Sequence, residues 1–157
     1  MATLVAGLPL VLGACAPRIT VPVAPDATDP LCADVVLAVP DSLGDELEKV
    51  GTTSQATAAW GEPGAAVTLR CGVEPPGPTT DLCQSVESEG GTVDWVVREL
   101  DDGTWTFTTY GRDPAVQVVV PATVREDHSG AFVADLGPAV EAVPQTRACV
   151  GPEDLTG

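Results

Sequence analysis

The fold turns on residues 92–120, TVDWVVRELDDGTWTFTTYGRDPAVQVVV. From Thr92 to Leu100 the chain alternates, with Trp95, Val97 and Glu99 on one face and Asp94, Val96, Arg98 and Leu100 on the other. A period of two is the mark of a strand, because successive side chains leave opposite faces of the pleat. Asp102-Gly103 supplies the positive-φ residue a tight hairpin needs. Thr104 to Tyr110 then returns, alternating Trp105, Phe107 and Thr109 against Thr106, Thr108 and Tyr110. Gly111-Arg112-Asp113-Pro114 turns the chain again, and Ala115 to Val120 runs as a third strand up to Pro121. Three strands joined by such short turns predict an antiparallel meander.

Outward from this meander the signals thin. Val67, Leu69, Cys71 and Val73 share a face, predicting one more strand, and Glu74-Pro75-Pro76-Gly77-Pro78 after it must be a loop. Leu31, Val35 and Val39 recur at helical spacing before Pro40, so Cys32–Val39 reads as a short helix. The stretch from Asp41 to Thr57 carries Leu43, Leu47 and Val50 at helical spacing but is broken by Gly44 and Gly51, and reads as a weak helix or loop. Gly130 to Val143 suits a helix, kinked or restarted at Gly137-Pro138. Ala16 to Pro30 holds four prolines without helical period and reads as an extended tether. The predicted architecture is α+β: an antiparallel sheet of three to five strands with two or three helices on one face. An all-β sandwich is the alternative if Cys32–Val39 is a strand.

Cys15 says where the chain works. It closes Leu12-Gly13-Ala14-Cys15 behind an apolar run from Leu4, the order of a bacterial lipoprotein signal: apolar segment, two small residues, cysteine. No residue from Met1 to Ala14 is charged, although such signals ordinarily begin with Lys or Arg. The reading divides the chain into a signal at 1–14, a lipid-modified Cys15 with its tether through 30, a single globular domain at 31–150 and a tail at 151–157. It places the domain on the extracytoplasmic face of a cell membrane, held by lipid on Cys15. The run is too short to span a bilayer, which takes about 20 apolar residues.

The net charge is −16, dispersed along the chain, with 23 acidic residues against 7 basic ones. Such a surface repels phosphate backbones and anionic headgroups, which excludes nucleic acid as a partner. With six aromatic residues in all, the core must be mostly Val, Ala and Leu. Cys32, Cys71, Cys83 and Cys149 form an even set, which outside the membrane reads as two disulfides with three pairings open. The short separation of Cys71 and Cys83 favours that pair, leaving Cys32 with Cys149. Zinc is rejected, since the set contains no close ligand pair and the chain has one histidine. No metal or other cofactor is expected.

Several short motifs occur in one order: Cys32 with Pro40, then Ala59-Trp60-Gly61, then Leu69-Arg70-Cys71-Gly72-Val73. Val93-Asp94-Trp95, Thr109-Tyr110-Gly111-Arg112, Pro114-Ala115-Val116 and Cys149 follow. In these the chain resembles the actinobacterial family catalogued as "domain of unknown function 3515", over about residues 31–150. The resemblance implies a secreted or lipid-anchored envelope protein and carries no activity.

No catalytic constellation is legible. His128 sits in a polar loop beside Ser129, and no Gly-x-Ser-x-Gly is present. Acidic pairs such as Glu87 and Glu89, Asp101 and Asp102, and Glu126 and Asp127 are expected by chance in so acidic a chain. Arg70 and Arg112 are candidate holders of a carboxylate or phosphate, with pairing to nearby acids as the plainer alternative. Trp60 is a candidate sugar platform, with burial the plainer alternative. Two functions are open to such a chain. The first is a non-catalytic anchored module that binds a wall polymer or an envelope protein. The second is a wall-acting hydrolase using scattered carboxylates or His128.

Overall fold

A computed structural model describes residues 16–44, 46–127 and 130–150. Cys15, His128 and Ser129 lie outside the described residues, as do the expected signal at 1–14 and tail at 151–157. The strands are β1 (Arg18–Ile19), β2 (Ser42–Leu43), β3 (Leu47–Thr52), β4 (Thr57–Glu62), β5 (Ala65–Val73), β6 (Leu82–Ser88), β7 (Gly91–Glu99), β8 (Trp105–Thr109) and β9 (Ala115–Val120). The helices are α1 (Pro30–Ala38), α2 (Ala122–Asp127) and α3 (Gly137–Val140), with a 3-10 segment at Gly130–Leu136. All nine strands join one sheet in the order β1-β3-β4-β5-β9-β8-β7-β6, with β2 added on β3. The β1–β3 pair is parallel and the other pairs are antiparallel, so the sheet is mixed.

This corrects the expected α+β fold with three to five antiparallel strands, and equally the two-sheet sandwich: the described residues form mostly one large sheet with three short helices. The meander forms as read, with Val97, Phe107 and Val118 in one cross-strand row. β9 continues the sheet by pairing with β5, which brings β4 and β3 after it. The helical spacing of Leu43 and Leu47 is misleading, because these two residues face each other across the β2–β3 hairpin. A tight hairpin puts cross-strand partners at i and i+4, the separation a helix also brings together. β6 leaves no signal in the sequence because it is an edge strand whose residues are mostly exposed, so no hydrophobic alternation marks it.

The helix expected at Cys32–Val39 is α1. The Asp29 carboxylate caps it by accepting the Leu31 amide at 2.8 Å, and Pro30 opens it. Val39 is already extended, as the residue before Pro40 must be. The expected break at Gly137-Pro138 is where the 3-10 segment hands over to α3.

One sheet face carries the core. Trp60, Val67, Leu69, Cys71, Trp95, Phe107, Val116 and Val118 meet Val35 of α1 and Phe132, Leu136, Val140 and Val143 in one buried cluster. Trp95 and Phe107 pack edge to face with centroids 6.4 Å apart.

The stretch 16–30 is not a free tether. β1 pairs with Gly51 and Thr52, Val21, Ala24 and Ala27 are buried, and the Asp26 amide donates to the Gly72 carbonyl at 2.9 Å. Among the described residues the folded unit therefore takes in 18–30, ahead of the expected boundary at residue 31. The segment lies along the protein and turns at 25–28, where the Ala27 amide donates to the Ala24 carbonyl at 3.3 Å and the Asp29 amide to the Asp26 carbonyl at 3.0 Å.

The disulfides are Cys32–Cys71 and Cys83–Cys149, not the expected pairs. Three strands lie between β5 and β6, so the two strands stand about 19 Å apart at ordinary strand spacing. Cys71 also faces the core, where α1 delivers Cys32, whereas Cys83 alternates with core-side positions and faces away. Shortness in sequence misleads because the loop after β5 crosses the sheet instead of turning back.

Candidate functional site

The face of the sheet opposite the helices holds the polar residues of interest. Strand register sets Arg70, Gln117 and Thr108 side by side on β5, β9 and β8. Arg70 donates from Nε at 3.0 Å and Nη2 at 2.7 Å to Gln117 Oε1, and Gln117 Nε2 donates to Thr108 Oγ1 at 3.2 Å. The guanidinium is thus held flat on the sheet by a neutral amide. Among the described residues it makes no ion pair, contrary to the plainer alternative of pairing with an acid. A guanidinium has five N–H groups, so most of Arg70's remain for solvent or a ligand.

Beside this row lies a hollow of about 160 Å³. Its floor includes Arg98, Thr106, Thr108 and Gln117, and Glu74 and Pro76 of the proline-rich loop border it. The loop is clasped at its far end. Arg98 Nε donates to Asp81 Oδ2 at 2.6 Å, and Thr79 Oγ1 donates to the same oxygen at 2.7 Å. The Thr79 hydroxyl first, and then Arg98, hold the Asp81 carboxyl below the usual aspartate range.

Arg112 occupies a different place. It is 5% exposed, in the turn between β8 and β9. Its Nη1 donates to the Val143 carbonyl and its Nη2 to Gln145 Oε1 at 3.3 Å. Gln145 Nε2 in turn donates to Asp94 Oδ2 at 2.9 Å, and the Cys149 amide reaches that oxygen at 2.7 Å. Ser85 Oγ donates to Asp94 Oδ1 at 2.6 Å. Thr146 adds bonds from its amide and hydroxyl to the Gly111 carbonyl at 2.7 and 2.8 Å. Residues 144–150 are therefore a strap laid over the outer face and fastened to two buried charged groups, one of each sign. Burial pushes the Arg112 guanidinium below its ordinary value, and the charges of Glu141 and Asp94 oppose that shift. Arg112 fastens the strap, and the structure does not bring it to one site with Arg70.

The acidic pair Glu87 and Glu89 borders a third feature, an open cleft of about 660 Å³ also lined by Asp135, Ser42 and Ser88. Asp135 Oδ2 accepts the Gly44 amide at 2.8 Å, and Glu87 Oε1 accepts the Thr92 hydroxyl at 3.0 Å. Neither Arg70 nor Arg112 lines it. Asp102 is engaged in the β7–β8 turn, where it accepts the Thr104 amide at 2.9 Å. No cluster able to hold a metal ion occurs among the described residues. Trp60 is fully buried, with its indole N–H donating to the Pro40 carbonyl at 2.9 Å, so it offers no sugar platform.

Sequence reasoning misses Asp94, Gln117 and Gln145. Polar residues on the non-core face of a strand, as Asp94 and Gln117 are, or in an irregular segment, as Gln145 is, read as solvated, and only the position of the strap and of neighbouring strands reveals that these are engaged. Together the features define a disulfide-stapled single-sheet domain, helices on one face and extended segments strapped over the other. The chain belongs to the family described as Protein of unknown function (DUF3515), which matches residues 3–149. That match reaches well before residue 31, where the resemblance began. No curated protein and no solved structure matches the chain.

Proposed function

We propose that this protein is a lipid-anchored module of the cell envelope that binds, without chemistry, a wall polymer or an envelope protein. One observation carries the reading. The four described cysteines are consumed in two disulfides, which leaves Cys15, directly after Leu12-Gly13-Ala14, as the fifth cysteine of the chain. Two disulfides suit an oxidising, extracytoplasmic setting. No helix of the described residues is long and apolar enough to cross a membrane, so in this reading lipid on Cys15 supplies the attachment. The surface for an anionic or hydroxyl-rich partner is the outer face around Arg70, Gln117 and Thr108.

The test is phase partition. The wild type should follow the membrane and detergent phases, while Cys15→Ser should be released or remain uncleaved. A correctly cleaved Cys15→Ser protein that stays on the membrane would show that something other than lipid holds it. The hydrolase reading keeps one favourable observation, the cleft with Glu87, Glu89 and Asp135 at its border. Glycoside hydrolysis needs two carboxyls about 5–10 Å apart on opposite sides of a sugar. Release of soluble fragments from purified wall, abolished by Glu87→Gln or Asp135→Asn, would replace binding with catalysis.

A further inference from the structure

The two disulfides differ in a way that bears on chemistry. Cys32 and Cys71 are 0% exposed, enclosed between α1 and the core face of the sheet. Cys83 and Cys149 are half-buried, and both line an open groove of about 310 Å³ with Thr79, Leu82, Tyr110 and Val150. An attacking thiolate needs access to a sulfur, and only the second bridge offers it. That bridge is also the covalent hold on a segment with no helix or strand of its own.

We infer that Cys83–Cys149 is a thiol–disulfide exchange site whose substrate partner is an external dithiol, and that its reduction unlatches the strap. The proposal is independent of the anchor and of the binding function. In the exchange, a thiolate of the dithiol attacks one sulfur of the bridge. The S–S bond breaks, the other cysteine leaves as a thiolate and takes a proton, and a mixed disulfide forms. The second thiol of the dithiol then attacks the mixed disulfide, so the dithiol is oxidised to its own disulfide. Two electrons and two protons pass to Cys83 and Cys149, leaving two thiols.

Whether the strap opens on reduction depends on its remaining hold. It retains the bonds of Gln145 and the Cys149 amide to Asp94, of Thr146 to Gly111, and of Arg112 to Gln145. These bonds number about as many as the residues they order. The net gain of a hydrogen bond and the entropy lost in fixing a residue are of similar size, so the latch without its covalent link stands near balance. Opening it exposes Asp94 and Arg112, which are 4% and 5% exposed when it is shut. A redox step at the groove would thus uncover a carboxylate and a guanidinium that the oxidised protein hides.

The test titrates the oxidised full chain with dithiothreitol at mildly alkaline pH, alkylates the freed thiols and maps them. Cys83 and Cys149 should be labelled about tenfold or more faster than Cys32 and Cys71. Tryptic cleavage after Arg147 should accelerate in step with that labelling. Labelling of all four cysteines at one rate, or first at Cys32 and Cys71, would overturn the exchange site. Cleavage at Arg147 that does not change on reduction would overturn the latch. The variant Cys83→Ser/Cys149→Ser separates latch from fold. It should keep the wild-type circular dichroism and the Cys32–Cys71 bridge while being cleaved at Arg147 without reductant. Loss of its folded spectrum would show that the bridge holds the whole domain and overturn the latch.

Discussion

Replacing Asp94 tests whether the strap is held by hydrogen-bond geometry or by charge. The carboxylate is 4% exposed and accepts three donors: Ser85 Oγ at 2.6 Å, Gln145 Nε2 at 2.9 Å and the Cys149 amide at 2.7 Å. Asp94→Ala removes all three acceptor contacts. Ser85 is exposed and recovers water, and Gln145 Nε2 keeps its bond to the Arg147 carbonyl at 2.9 Å, but one Gln145 N–H and the Cys149 N–H lose their acceptor at the underside of the strap. Each unsatisfied buried donor costs about 1–3 kcal/mol, and water entering at the strap's edge favours the lower end, so about 2–4 kcal/mol is expected. That is a large share of a domain stability of about 5–15 kcal/mol. Asp94→Asn is the informative companion. Its carbonyl oxygen can take the place of Oδ2 and keep both strap bonds, while its amide donates to Ser85 Oγ, so the geometry survives and the charge does not. It should cost about 1 kcal/mol, the order of weakening charge-assisted bonds to neutral ones. Urea unfolding of the oxidised proteins measures both, read as a shift in midpoint at unchanged slope. If Asp94→Ala falls within about 0.5 kcal/mol of the wild type, the magnitude expected of an exposed surface change, Asp94 does not fasten the strap. If the two variants are equally damaging, the loss is one of charge opposite Arg112, and the geometric reasoning fails.

Two further outcomes are expected. Gly72 has φ +95° where β5 bulges, and a Cβ there would press on the backbone of Asp26 and Ala27, so Gly72→Ala should cost about 1–3 kcal/mol. It should raise amide hydrogen exchange through residues 18–27 first, and unchanged protection there would contradict the seating of that segment. The second concerns pH. The Asp81 carboxyl is held low by Thr79 and Arg98, so the clasp on the proline-rich loop is fully present above the ordinary aspartate value of about 3.9. It is lost only as pH falls through the lower folded-state value. A carboxyl titration of Asp81 by NMR should therefore show a midpoint below that of exposed aspartates and move up toward it in Thr79→Ala. A midpoint at the ordinary value would remove the clasp from the account.

Legibility tracks burial. Where one face takes the large apolar residues, as Trp95, Val97 and Phe107 do in 92–120, the alternation declares both the strand and its facing, even though Asp94 and Val96 on the other face are buried as well. α1 is readable for a related reason, since Pro40 forces its end and Val35 marks its buried side. The edge strand β6 buries little and leaves no pattern. The β2–β3 hairpin leaves a false one, because Leu43 and Leu47 are four apart in either conformation. The residues around the candidate sites are harder still. Arg70 and Arg112 are visible as cations, but their partners Gln117, Val143 and Gln145 are set by strand order and by the path of the strap. A local reading reaches neither. The same holds for the cysteines, whose pairing depends on which sheet face each one points from.

That pairing has a consequence for how the two faces are held. Cys32–Cys71 closes a separation of 39 residues and fixes α1 to the core face, while Cys83–Cys149 closes 66 and fixes the strap to the outer face. By loop entropy alone the longer closure stabilises slightly more, about 4.4 against about 3.9 kcal/mol. Burial decides what the loss of each bridge releases. The buried bridge joins elements whose side chains share the large core cluster, so breaking it leaves two thiols inside a packed interior that keeps α1 in place. The half-buried bridge joins β6 to a segment that shares no such cluster, and its loss leaves that segment held by hydrogen bonds without a covalent link. Sensitivity to a reductant and freedom to move thus coincide at one end of the sheet. The bridge that an external thiol can reach is the one that holds a segment outside the core cluster.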